Sequence, residues 1–156
     1  NRVESVEEIK KQVEELYMRE FISKKQAEVI DSKKIYNFFK SYIGQKILLN
    51  KEGVYREKSF NMAVSSTSIN KKLDKNLYMN EYIIIQGIID CYIDEGDCIT
   101  VIDYKTDKVS NGDVETIANR YRVQLDYYTK AIEIIMNKPV KHKHLYLFDI
   151  EKEVEL

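Results

Sequence analysis

The chain is short of several things, and each shortage excludes something. It has two cysteines in 156 residues, Cys91 and Cys98, and they do not form a C-x-x-C pair. With no secretory leader beside them, they are expected as free thiols of a reducing, cytoplasmic compartment rather than a disulfide framework. No apolar run approaches the roughly 18 residues of a membrane span, so no membrane partner is expected. Net charge is only −1, so no bulk basicity advertises nucleic acid. Any such contact has to come from local charge or from a larger assembly. Internal repeats, low-complexity tracts and a dividing linker are all missing. Residues 1–156 therefore form one domain, long enough to bury a core without staples. The chain starts at Asn1 rather than Met, directly into helix-like sequence, and is expected to be a C-terminal piece of a longer protein.

What is present divides by hydrophobic period. Ser5-x-x-Glu8 has capping-box spacing, and Val6, Ile9, Val13, Leu16 and Tyr17 predict an amphipathic helix to about Phe21. Ser23-x-x-Gln26 opens a short helix to Ile30. Asp31 or Ser32 caps a third, with Ile35, Phe38, Phe39, Tyr42 and Ile43 on its apolar face and a stop or bend at Gly44. Lys46 to Leu49 adds a further turn. The period then shortens: Val54 to Val64 predicts a strand with Phe60, Met62 and Val64 inward. Ser65 to Asn76 is polar and expected as a loop. Tyr82 to Thr106 is the stretch around which the chain is organised, two β-branched strands joined by a turn at Glu95-Gly96-Asp97. Asn111-Gly112 signals another turn. Asp113 caps a helix from Val114 through Met136, with a break expected near Tyr121 and a stop at Lys138-Pro139. Val140 to Ile150 is the last long strand, with Val154 to Leu156 returning beside it. The order predicts an α/β fold, a mixed central sheet flanked by helices, with extra helices at the N-terminal side.

Three acidic or basic groups stand out. Asp90 and Asp103 each interrupt an apolar strand, where a carboxylate is costly to bury unanswered. Alternation puts Asp103 and Lys105 on one face and Tyr104 on the other. Two such acids on adjacent strands repel, and a bound Mg²⁺ removes the repulsion; carboxylates suit magnesium, whereas zinc wants His or Cys. Lys105 can polarise water or stabilise charge on phosphate, and Glu57 on the preceding strand adds a water-mediated contact. The bland alternative is a strand-end ion pair beside a satisfied core acid. On chemistry alone that alternative stands slightly ahead, because D-x-K is common. Tyr121, Gln124 and Tyr128 share a helical face that can lean over the acids, with Val123, Tyr127, Ala131 and Ile134 as the opposite, core-facing stripe. His142 and His144 form H-x-H on one face of the last strand and are expected as two exposed histidines rather than a metal pair.

G-I-I-D (Gly87–Asp90), D-Y-K (Asp103–Lys105) and Q-L-D-Y-Y (Gln124–Tyr128) resemble, in order and spacing, the G-x-x-D, D-x-K and Q-x-x-x-Y motifs of PD-(D/E)xK nucleases of the RecB type. R-E-K-S-F (Arg56–Phe60) is similar to the strand before G-x-x-D in AddAB-type helicase–nucleases, most of all the C-terminal domain of the A subunit. The resemblance covers about Lys33 to Met136. It implies a restriction-endonuclease-like core and Mg²⁺-dependent cleavage of DNA, with Mn²⁺ able to substitute, in double-strand-break processing and recombinational repair. It implies Asp90, Asp103 and the Tyr104 carbonyl as metal ligands, Lys105 as catalytic, and Gln124, Tyr128 and Tyr121 toward substrate. It further implies a single strand fed by a helicase and a second subunit completing the heterodimer. The family places a histidine ligand on a helix before the first strand. None stands there in this sequence, so that ligand is expected upstream of Asn1, and the isolated piece is expected to bind metal and cleave weakly. A non-catalytic domain of the same fold, kept for DNA-end binding or assembly, is the alternative, and an unrelated α/β module the third.

Overall fold

The computed structural model describes residues 3–74, 76–109 and 113–156. Four helices come first: α1 (Val6–Met18), α2 (Lys24–Val29), α3 (Ser32–Lys40) and α4 (Tyr42–Leu49). Their starts follow the capping residues. Ser5, Ser23 and Asp31 each accept a backbone N–H of the first turn through the side chain, and Ser23 with Gln26 completes a capping box. α1 ends three residues before Phe21, where Glu20 turns left-handed with φ 59°. The break expected at Gly44 falls instead at Ser41. Its N–H ends α3 on Asn37 and Phe38, and its hydroxyl caps α4 through the Gly44 N–H at 3.2 Å. Gly44 is buried inside α4 for another reason: a Cβ there would lie 2.0 Å from the Phe38 carbonyl oxygen. The tight helix-to-helix turn also swings Tyr42 outward, to 65% exposure, off the apolar face where the period put it.

A five-stranded sheet follows, in spatial order β1 (Val54–Ser65), β2 (Tyr82–Asp94), β3 (Ile99–Lys105), β4 (Val140–Leu147), β5 (Lys152–Glu155). β1, β2 and β3 are antiparallel neighbours, β3 and β4 parallel, β4 and β5 antiparallel. The polar Ser65–Asn76 stretch between β1 and β2 contains one short helix, α5 (Ser66–Ile69). The parallel step needs a crossover, supplied by α6 (Val114–Met136), which begins at the Asp113 cap and runs without the expected break at Tyr121. Asn137, left-handed at φ 51°, ends it before Pro139. The Asn111-Gly112 turn signal lies outside the described residues.

The centre of the sheet buries both faces, while the outer part of the β1–β2 ribbon leaves Tyr82, Ile84 and Ile88 exposed. Toward α6 lie Ile89, Tyr92, Ile99, Val101, Leu145 and Leu147, packed on Ile117, Leu125 and Ile132. Toward α3 and α4 lie Cys91, Ile93, Ile102 and Tyr146, packed on Phe38, Ile43 and Ile47. Cys91 is buried, Cys98 half-buried, and both are free thiols. No helix among the described residues is long and apolar enough to cross a membrane.

One irregularity positions everything that follows. Tyr55 packs on the α6 side, and so do Phe60 and Met62, so the strand exchanges faces between them. The exchange occurs at Glu57, whose φ is +51°, outside ordinary strand conformation for a non-glycine residue. β2 does the same opposite it: Ile89 faces α6 while Cys91 faces α3 and α4, so the step falls on Asp90. Arg56 pairs with Cys91 and Lys58 with Ile89, which leaves Glu57 and Asp90 facing each other across the kink.

Because a Gly44 side chain would strike backbone rather than a movable group, Gly44→Ala is expected to cost about 3 kcal/mol, the upper end for overpacking. A urea-unfolding midpoint indistinguishable from the parent's would contradict this packing of α3 on α4.

Candidate functional site at the fork of β2 and β3

The ladder between β2 and β3 is paired from Asp94–Ile99 to Cys91–Ile102 and then opens. The next pair in that register is Asp90 and Asp103, so both acids stand where the strands fork. Asp90 turns its carboxylate into the gap, and Oδ2 accepts the Tyr104 N–H at 3.0 Å. The side chain thus answers a backbone donor that the departing strand no longer meets. The N–H and C=O of one strand residue point the same way, so the Tyr104 carbonyl is directed to this same edge. The Tyr104 ring points to the other face and packs edge-on against Phe38, centroids 5.4 Å apart.

Asp103 is the exceptional group: it is 0% exposed. The Lys105 ammonium lies 2.7 Å from its Oδ2, yet neither carboxylate oxygen receives a well-directed hydrogen bond among the described residues. The Asp103 carboxyl is pushed up to about 6, chiefly by burial; Lys105 opposes the rise and the Asp90 carboxylate beside it adds to it. A folded value above the ordinary carboxyl value favours folding below pH ~4, and that contribution is lost as pH rises through about 6. Ionised Asp103 therefore costs the fold roughly 3 kcal/mol at neutral pH. Lys105 is itself fixed, its Nζ 4.4 Å from the centroid of the Tyr121 ring. The Tyr121 hydroxyl donates to Asp107 Oδ2 at 2.8 Å.

The roof is α6, through the face of Tyr121, Gln124 and Tyr128 that the period put over the acids; of the stripe expected opposite, Ala131 is buried in the core and Tyr127 packs on it. Val123 and Ile134, expected in the core, are 61% and 71% exposed. The buried stripe is Ile117, Leu125, Tyr128 and Ile132, with Tyr121 and Gln124 half-buried along it. The amide and phenols are thus the sheet-facing side of the helix. Gln124 Nε2 donates to the Tyr128 hydroxyl, which leaves the phenolic hydrogen free to serve as a donor. Burial raises the Tyr128 phenol above its ordinary value, and the negative charges of Asp103 and Asp90 add to this. Tyr128 meets the Phe60 ring edge-on at 5.8 Å. Phe60 in turn covers Gly87, where a Cβ would stand 2.7 Å from the ring. The glycine three residues before Asp90 therefore makes room for the aromatic wedge that seats Tyr128.

The structure thus brings Asp90, Asp103, Lys105, Tyr121, Gln124 and Tyr128 to one side of one sheet. Glu57 is exposed at the kink, opposite Asp90 in register. Phe60 and Asp107 also belong to the constellation. Sequence reasoning missed their roles, because Phe60 looks like any core aromatic and Asp107 like a loop acid. The histidines stand elsewhere. His144 is not exposed but 2% accessible, on the α4 face of β4, because β5 and α4 close over it.

Residues 2–155 match the family model described as the PD-(D/E)XK nuclease superfamily. The chain is similar to the A subunit of the ATP-dependent helicase/nuclease of Clostridium novyi (strain NT), 49% identical over 152 residues, covering 97% of this chain and 12% of that protein. It is 46% identical over 159 residues to the protein of that name from Clostridium beijerinckii, covering 100% of this chain and 13% of the relative. The one from Clostridium botulinum (strain Okra) is 43% identical over 155 residues, covering 99% and 12%. The chain spans about an eighth of the length of these relatives. The mixed five-stranded sheet with its helices is the restriction-endonuclease-like architecture that the motifs imply. The chain belongs to the PD-(D/E)XK nuclease superfamily.

Proposed function

We propose that this chain is the nuclease domain of a cytoplasmic ATP-dependent helicase/nuclease. In this reading it hydrolyses DNA phosphodiester bonds with Mg²⁺, as an exonuclease trimming double-strand-break ends for recombinational repair. The observation that carries the reading is Asp103: a wholly buried carboxylate, without a well-directed hydrogen bond, next to a second carboxylate and an ammonium. A group in that state is expensive for a structural domain to keep and useful to one that binds a hard cation. The oxygens of Asp90 and Asp103, with the Tyr104 carbonyl, form an all-oxygen donor set that fits magnesium or manganese rather than zinc. When bound, such a cation supplies Lewis-acid activation at the scissile phosphate.

The chain's own residues do the rest. Lys105, fixed between Asp103 and the Tyr121 face, holds a positive charge where negative charge develops on the phosphate. Tyr128, seated by Phe60 and Gln124, presents its O–H to a phosphate oxygen, and Gln124 and Tyr121 position the backbone of the substrate strand. Neither contact reads a base. The domain carries net charge −1, which agrees with a strand delivered by a helicase motor, and with a partner subunit, rather than captured from solution.

Three outcomes test this. Asp103→Asn and Lys105→Ala are expected to lower single-stranded DNA cleavage at least ~100-fold while leaving the protein folded. Cleavage within a few-fold of the parent in both would end the proposal. Gln124→Ala is expected to raise KM more than it lowers kcat, as befits a residue that positions substrate. Millimolar Mn²⁺ is expected to raise the thermal midpoint at pH 7, where Asp103 is ionised, and to raise it much less at pH 5, where a carboxyl of pKa about 6 is protonated. An equal rise at both pH values would place the cation elsewhere.

A further inference from the structure

A second constellation lies on the opposite face of the sheet. His142 and His144 project from β4 toward α4, with ring centroids 6.3 Å apart. Glu155 of β5 pairs directly with His144 in the ladder, and its Oε1 lies 2.8 Å from His142 Nδ1. One ligand atom from each of the three lies within 4.8 Å of the others. Tetrahedral zinc, with bonds of about 2.0–2.1 Å, separates its ligands by roughly 3.3 Å. Small rotations of the two more exposed members close that gap, since His142 and Glu155 side chains are 43% and 58% exposed.

His144 is what lifts this above a surface cluster. It is 2% exposed, and neither ring nitrogen makes a hydrogen bond of acceptable angle among the described residues. Buried imidazoles ordinarily have partners. Glu153 comes close, Oε1 at 2.9 Å from Nδ1, while its Oε2 accepts the Ile43 N–H at 3.0 Å from the first turn of α4. A carboxylate held that way can orient an imidazole whose other nitrogen faces a metal. The nearby Lys46 ammonium is paired with Glu95 at 2.8 Å and acts on Glu155 only as a more distant charge. Two imidazoles and two carboxylates thus converge with no cation of their own among the described residues.

We propose that His142, His144 and Glu155 bind a zinc ion that fastens β5 to β4, with Glu153 orienting His144. The site is separate from the acids of the β2–β3 fork: its donors include nitrogen, it lies on the α4 face, and it has no path to the α6 side through the packed sheet. Its role is structural, closing an edge that ends in a four-residue strand.

The test is cobalt titration of the purified, tag-free full chain. One equivalent of Co²⁺ is expected to give intense visible bands of tetrahedral coordination, which Zn²⁺ abolishes. Zn²⁺ alone is expected to raise the thermal midpoint. His142→Ala, a substitution at a half-exposed position, is expected to fold but to lose both effects; Glu155→Gln is expected to weaken them, and Asp103→Asn to retain them. Absence of both effects in the parent would overturn the proposal and leave a His142–Glu155 hydrogen bond. Bands that persist in His142→Ala, or vanish in Asp103→Asn, would overturn it equally, by placing the metal elsewhere.

Discussion

The arrangement depends on a carboxylate buried where water cannot reach it. Asp103 has no exposure, one ammonium at 2.7 Å, and a second carboxylate as neighbour. An ion pair of that kind is weak evidence for stability, since the charge it desolvates can cost as much as the pairing returns. The fold tolerates it because the centre of the sheet around it is packed on both faces by apolar side chains. The stability given up at Asp103 is small against that burial.

The kink is the device that makes room. A regular β1–β2–β3 meander would continue its ladder past Cys91 and Ile102 and leave no gap for a ligand. Glu57, held at φ +51°, turns β1 over, and β2 turns with it at Asp90. β2 and β3 then part, and Asp90 answers the Tyr104 N–H with its side chain. Non-glycine residues in that conformation carry strain of order 1–3 kcal/mol and gather at functional sites. Here the strain falls directly opposite one of the two proposed metal-binding acids.

Much of this is legible in the residues alone. Capping serines and aspartates announce three N-terminal helices and α6, and the β-branched runs announce the hairpin. Alternation alone puts Asp103 and Lys105 on one side and Tyr104 on the other. What fails does so for tertiary reasons. Tyr121, Gln124 and Tyr128 are legible as the face over the acids, whereas Val123 and Ile134 look like core and are not. The structure leaves Val123 and Ile134 exposed, because the sheet takes the side of α6 that carries Leu125, Tyr128 and Ile132. The kink leaves no mark, since a glutamate at positive φ has no sequence signature. Nor does the burial of His144, which depends on β5 and α4 closing over an otherwise ordinary H-x-H. Gly44 is legible as special but not as to why: it permits close approach rather than ending a helix.

The central claim is that Asp90 and Asp103 together hold a divalent cation at the fork of β2 and β3. Anomalous diffraction from crystals grown with Mn²⁺ tests it most directly. A manganese peak bonded to oxygens of both carboxylates is expected at the edge where the Tyr104 carbonyl is directed, and no such peak in Asp103→Asn. A peak bonded to neither acid, or an Asp103 side chain that stays paired with Lys105 alone at saturating Mn²⁺ and neutral pH, would contradict it.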